Sequence, residues 1–440
     1  MMSLEKHMKS FALIILLTLV SPAFPQSQDD KNKTVAIGTV QGKQEAYPVL
    51  VPKAFLRTTD AGAISDDLRN VFNSDLTNSD LFDLIDPTPY PAYTGETKLD
   101  NYKNSPAVYV ALFKTGLTGN ELDVEARFYD VKSQQLIVGK VYKWDKKFVR
   151  QIAHRFADEI FYRLTGFKGI FTSKVAFTSD RTSNKEVFLM DYDGFNQKQI
   201  TISKTLNLSP DLSPDGKKLA YTSFRTESGR PGTAIVVFSI YTGEKTFLYS
   251  KGTLNSTPRW TPDSSKLAFT SNVSGNAELY IINADGSGLR QLTFNRAIET
   301  SPSWNPRSGQ IAFTSDRSGR PMIFIMNDDG TNEQRLTYVG EYNESAAWSP
   351  DGSRLAYVSR SGINFDIYVV DMANNVVTRL TQNEGSNENP CWAPDSRHIA
   401  FSSNRSGQFQ VWSMLYDGSK PRQLTREGNN THPTWAAGEE

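Results

Sequence analysis

The 440-residue sequence predicts a small α/β domain followed by an all-β six-bladed β-propeller that a C-terminal strand closes. Three observations carry this. An aromatic tag recurs at Ala176-Phe177-Thr178-Ser179, Ala220-Tyr221-Thr222-Ser223, Ala268-Phe269-Thr270-Ser271, Ala312-Phe313-Thr314-Ser315, Ala356-Tyr357-Val358-Ser359 and Ala400-Phe401-Ser402-Ser403, at spacings of 44, 48, 44, 44 and 44 residues. A period in the forties with several short apolar runs marks a propeller blade, which buries its faces only against its neighbours. A second tag, usually Pro-x-Trp, puts Trp260, Trp304, Trp348 and Trp392 eight residues before the Ala of the next aromatic tag, with Ala346 replacing one proline and Leu212 one tryptophan. The first aromatic tag lacks such a partner upstream, while the chain ends with an orphan one, Pro433-Thr434-Trp435. The C-terminal segment is therefore expected to supply the innermost strand of the blade begun at Lys174. Closure of this kind removes exposed sheet edges.

At the start of the chain, Lys6, His7 and Lys9 precede an apolar run from Phe11 to Val20, followed by Ser21-Pro22-Ala23. The run is shorter than the roughly 20 residues that span a bilayer. It reads as a secretory signal over residues 1–23, cut after Ala23, and residues 24–33 read as a flexible leader. The single cysteine, Cys391, excludes an intramolecular disulfide and lies far from the cleavage site. Without residues 1–23 the chain keeps 46 basic and 47 acidic residues. So even a balance gives no electrostatic footprint for nucleic acid or an anionic membrane.

Residues 34–166 lack the repeat and read as the α/β domain. Val35 to Val40 and Val49 to Phe55 have strand character, and Ile64, Leu68, Val71 and Phe72 have helical spacing within Asp60 to Asn73. Runs at Leu81 to Ile85 and Ala107 to Phe113 precede a hairpin of Leu122 to Tyr129 and Leu136 to Trp144. Phe148, Ile152, Phe156, Ile160 and Leu164 then share one helix face, which Gly166 is suited to cap. Residues 167–173 form the linker, and the propeller is expected over 174–440.

Within each blade, turns at Asp215-Gly216, Asp351-Gly352, Arg317-Ser318-Gly319 and Asp417-Gly418 separate the strands, since Gly and Asp accept positive φ at low cost. Five residues before the Trp position stands a column of Asn207, Asn255, Glu299, Asn343, Asn387 and Asn430. The next two positions are variable and mostly polar, and include Thr257, Thr300, Glu344, Glu388 and His432. These segments lead from an outer strand to the next inner strand, so all six should surround one mouth of the central channel. A ring of amides and hydroxyls there can satisfy a partner's polar groups. The same asparagines also suit plain turns, so both readings stand.

Other features take structural readings. The Asp-Gly pairs recur in the turns, and no single loop offers the six to eight oxygens that calcium takes. His154, His398 and His432 form no zinc-binding spacing. No metal and no cofactor is expected. The tryptophans read as blade core, and Cys391 as a small apolar residue without a paired base. Paired carboxylates at a channel mouth serve glycan-cleaving enzymes, and Glu299, Glu344 and Glu388 lie near this one. A secreted propeller acting on or sensing a glycan or small ligand is thus the alternative, although no Gly-x-Ser-x-Gly elbow accompanies the repeats.

The exported precursor, the helix with Asp66-Asp67-Leu68-Arg69, the linker Leu164-Thr165-Gly166-Phe167-Lys168-Gly169 and repeats with Trp348-Ser349-Pro350-Asp351-Gly352 and Arg335-Leu336-Thr337 resemble the TolB family of the Tol-Pal system. The resemblance covers nearly all of the mature chain. It implies a monomeric periplasmic binding protein, not an enzyme, that reaches membranes only through its partners. It implies the lipoprotein Pal as a partner of the propeller face, with Leu254, Thr257 and Thr300 matching the family's contact positions. It also implies TolA as a partner of the N-terminal segment around Val35, Ile37 and Val40, and a role in outer-membrane integrity and constriction at division.

Overall fold

The computed structural model describes residues 46–203, 205–227 and 230–438. The signal, the leader and Val35, Ile37 and Val40 lie outside the described residues.

The N-terminal domain is a mixed sheet under two helices. Tyr47–Leu50 pairs in parallel with Phe82–Ile85 on one side and Tyr109–Thr118 on the other, and antiparallel strands Glu121–Asp130 and Leu136–Asp145 complete the sheet. The strand expected over Val49 to Phe55 is broken in two: Pro52 cannot donate to the ladder, and only Phe55–Leu56 resumes pairing. Helix α1 (Gly62–Asn78) buries Leu68, Phe72 and Leu76, and α2 (Val149–Thr165) buries Ile152, Phe156 and Ile160. Phe72, Phe113 and Phe156 meet ring to ring, joining both helices to the sheet. Gly166 ends α2 at φ 76°, its N–H donating to Tyr162 O. Asp158 then fixes the following chain, accepting from the Phe171 and Thr172 backbone amides and the Thr172 hydroxyl. Burial pushes its carboxyl up to about 6.

Six four-stranded antiparallel sheets follow among the described residues. Blade 1 takes its inner strand from Asn430–Ala436 and its others from Lys174–Thr182, Asn184–Asp191 and Lys198–Gln199. The inner strands of blades 2 to 6 are Asn207–Leu212, Asn255–Trp260, Glu299–Trp304, Asn343–Trp348 and Asn387–Trp392. The ring closes with strands from both ends of the propeller, as the orphan Pro433-x-Trp435 predicts. Phe177, Phe269, Phe313 and Phe401 of the tags are fully buried between blades, each contributing roughly 1.5–3 kcal/mol of burial. The threonine that ends Arg335-Leu336-Thr337 has a specific task. Its hydroxyl accepts from the Ile323 backbone N–H, and Thr201, Thr293, Thr381 and Thr425 repeat the bond in four other blades. No described helix is long and apolar enough to cross a membrane.

The two domains share a buried polar contact. Asp75 of α1 accepts from Tyr192 Oη at 2.5 Å and lies 2.8 Å from His154 Nδ1 of α2. His398 bridges Asp395 of blade 6 and the Asn78 carbonyl at the end of α1.

Candidate functional site

Each inner strand begins with a residue of the column, and all six column residues are fully buried. Their side chains are used within the propeller. Asn207 Nδ2 donates to Glu186 of blade 1, Asn387 to Asp366 of blade 5 and Asn430 to Gln410 of blade 6, each reaching the third strand of the preceding blade. Asn255 donates to the carbonyls of Thr233 and Lys251, and Asn343 to Val339 O. Glu299, the one acid of the column, accepts from Ser315 and pairs with Arg317 at 2.9 Å. Burial pushes its carboxyl up, and Arg317 opposes the shift. The expectation that this column itself is offered to a partner is therefore corrected: buried amides must find partners inside the fold, and here they latch successive blades together.

The next two residues behave differently, because every inner strand carries a bulge there. Pairing with the second strand slips between Leu208 and Asp211, Ser256 and Arg259, Thr300 and Ser303, Glu344 and Ala347, Glu388 and Cys391, and Thr431 and Thr434. The second residue after the column adopts positive φ in all six: Ser209 49°, Thr257 49°, Ser301 53°, Ser345 54°, Asn389 52° and His432 54°. Left-handed backbone is uncommon outside glycine and a genuine outlier for a β-branched residue such as Thr257. A bulge re-aims the side chains beside it, and strain of this kind gathers at functional sites. Thr257, Thr300, Glu344, Glu388 and His432 are all part-exposed. They stand beside the bulges near the column end of the inner strands, and Leu254, just before the column, is exposed.

Charge at this end is uneven. Glu344 accepts from Tyr342 Oη at 2.9 Å, and burial raises its carboxyl. Burial also raises Glu388, with the neighbouring Glu344 charge adding to it. Two residues deeper stand Asp211, Arg259 and Cys391. Arg259 lies 3.6 Å from Asp211, and burial pushes the Cys391 thiol up to about 12, far from a reactive thiolate. His432 is pushed down to about 4 by burial and by Arg259 and Lys185, and its Nδ1 has no hydrogen-bond partner among the described residues. Asp211, Arg259 and Cys391 help wall a 320 Å³ cavity lined by inner-strand residues of all six blades, Trp260, Trp348 and Trp435 among them. These indoles pack as blade core, with Trp260 Nε1 and Trp392 Nε1 donating to backbone carbonyls of the preceding blade.

Sequence patterns gave no sign of a second cluster, in which His154, Asp191 and Asp193 bring ligand atoms within 4.8 Å of one another. Its groups are already matched. His154 faces Asp75, Asp191 holds Lys174 and Asn196 at 2.5 Å each, and Arg150 pairs with Asp193. Two cations already seated against the carboxylates leave a poor site for a third.

Comparison with known proteins adds to this geometry. Residues 161–366 and 343–440 match the family model described as TolB beta propeller domain, and residues 35–137 that of the TolB amino-terminal domain. The Tol-Pal system protein TolB of Geobacter sulfurreducens is 38% identical over 222 residues, 49% of this chain and 50% of that protein. The protein TolB homolog of Chlorobium chlorochromatii is 33% identical over 202 residues, 45% of this chain and 44% of its own. The chain spans about half the length of the curated relatives it matches. The crystal structure of TolB from Acinetobacter baumannii superposes with a TM-score of 0.77 at 24% identity, over 92% of this chain and 100% of that one, a likeness of fold across both domains.

Proposed function

The chain belongs to the TolB family, and on that premise we propose that it is a periplasmic, non-enzymatic binding component of the Tol-Pal system. In this reading the bulged end of the propeller channel binds the lipoprotein Pal, and the segment around Val35, Ile37 and Val40 binds TolA. Exchange between the two supports outer-membrane integrity and constriction during division. The observation that carries the propeller assignment is the sixfold bulge, beside which Thr257, Thr300, Glu344, Glu388 and His432 stay part-exposed while the column before them is consumed in blade packing. Side chains held out by strained backbone on a rigid ring are preorganised for recognition.

Calorimetric titration of residues 24–440 with the soluble domain of Pal from the same organism tests this. The control is Thr257→Arg with Thr300→Arg. Glu299 is unsuitable as a control because reversing a buried, paired carboxylate would damage the blade. Binding that the double variant loses supports the reading, and failure of the wild type to bind overturns it. Removal of residues 24–38 should spare Pal binding and weaken TolA binding. Unchanged TolA affinity would remove the N-terminal assignment.

A further inference from the structure

The bulges repeat six times, but the rim around them does not. The residue just before the column has the same backbone setting in every blade: its carbonyl accepts from the second strand, as with Leu206 from Phe224 N, Leu254 from Asn272 N, Ile298 from Asp316 N and Tyr342 from Arg360 N. In blades 2, 3 and 4 this position is aliphatic, with Leu206 36%, Leu254 37% and Ile298 53% exposed. The connections leading into blades 2, 4 and 5 add Ile202 at 86%, Phe294 at 75% and Val339 at 54%. The two remaining connections, residues 382–387 and 426–430, read Gln-Asn-Glu-Gly-Ser-Asn and Arg-Glu-Gly-Asn-Asn and carry no large exposed apolar residue among those described. Four successive connections thus form an apolar crescent, and two form a polar arc.

Exposed apolar surface gathered beside a polar rim marks an interaction site. Where the crescent meets the polar arc stand Glu344 and Glu388, close enough for their charges to repel. Their surroundings differ from those of Glu384 on the polar arc, which Arg405 pairs at 2.8 Å.

We propose that the mouth is gripped from one side, by a folded protein that lays an apolar ridge along the crescent and brings a lysine or arginine to Glu344 and Glu388. This rests on the reading of the mouth as a protein-binding face and gives the chemistry of the partner surface. Charge complementarity selects a protein over an anionic lipid surface, since two carboxylates beside the crescent, with no ion pair among the described residues, repel phosphate headgroups. Phe294 is the natural anchor, as aromatic residues dominate such contacts.

The test uses residues 24–440 and the Pal domain in the same calorimeter. Phe294→Ser with Ile298→Ser changes only exposed side chains, and should weaken binding about tenfold or more. Gln382→Ala with Arg426→Ala, on the polar arc, should leave affinity unchanged. Glu344→Gln with Glu388→Gln should lower affinity at low salt and flatten its dependence on ionic strength. Wild-type binding that survives the crescent substitutions, or that the polar-arc substitutions weaken equally, overturns the one-sided grip while leaving the protein-binding reading intact. Absence of wild-type binding removes both. Sedimentation with phosphatidylethanolamine–phosphatidylglycerol vesicles supplies the other arm. Vesicle binding by the wild type, lost in the crescent variant, would replace the protein partner by a membrane.

Discussion

Trp435 Nε1 donates a hydrogen bond to Ser173 Oγ at 2.7 Å, joining the C-terminal strand of the propeller to the residue that precedes Lys174, where its first strand begins. Around it, Asn430–Ala436 pairs with Lys174–Thr182 from Asn430 opposite Ser179 to Ala436 opposite Lys174. Deletion of residues 431–440 removes nearly all of that strand and leaves the inner edge of blade 1 unpaired. The melting temperature followed by circular dichroism should fall on the order of 10 °C or more, because loss of a buried tryptophan alone costs about 3–5 kcal/mol. An unchanged melting temperature would show that the ring does not depend on its C-terminal strand.

Asp75 should be the most sensitive polar residue between the domains. It accepts from Tyr192 Oη and faces His154 Nδ1, and all three residues are buried. Asp75→Ala removes the acceptor of the Tyr192 hydroxyl proton and the carboxylate facing His154 Nδ1, and should cost about 3 kcal/mol or more in urea unfolding. Asp75→Asn keeps one acceptor for Tyr192 and should cost less. Equal losses in the two variants would indicate that packing rather than hydrogen bonding sets the effect.

Asn255→Ala separates blade packing from partner recognition. The amide donates to Thr233 O and Lys251 O and accepts from the Ser271 hydroxyl, all at zero exposure of the asparagine. Leaving these groups unpaired should lower stability by about 1–3 kcal/mol, with Pal affinity within about twofold of wild type. Preserved stability with abolished binding would return the column to the recognition surface.

The number of blades and their closure were legible in the sequence because tag spacing reports a repeating geometry that no local detail can hide. The register of the column was legible for the same reason, but its burial was not. What buries Asn207, Asn387 and Asn430 is a partner on the preceding blade, and that partner is Glu186, Asp366 or Gln410, side chains too varied to form a pattern. The bulges were hidden more deeply. Ser209, Thr257, Ser301, Asn389 and His432 each precede a proline, a context that by itself favours extended backbone, yet all five are left-handed. Asp75, His154 and Tyr192 come from three separate elements, so no spacing could have joined them.

His432 gives the propeller a pH response whose sign follows from its surroundings. Burial, with Arg259 and Lys185 nearby, lowers the imidazole from 6.5 to about 4 in the folded chain. Between those values the unfolded chain binds a proton that the folded chain does not, so this group's contribution to stability is complete above pH 6.5 and is lost as pH falls toward 4. Asp158 acts in the opposite sense, because a carboxyl raised to about 6 contributes most when protonated. The two overlap, and a variant isolates one of them. His432→Asn keeps a residue that tolerates the left-handed backbone, as Asn389 does in blade 6. Urea unfolding of this variant between about pH 4 and 6.5 should show stability falling less toward acid than in the wild type. Parallel stability profiles for the two proteins would mean that His432 titrates normally in the folded channel.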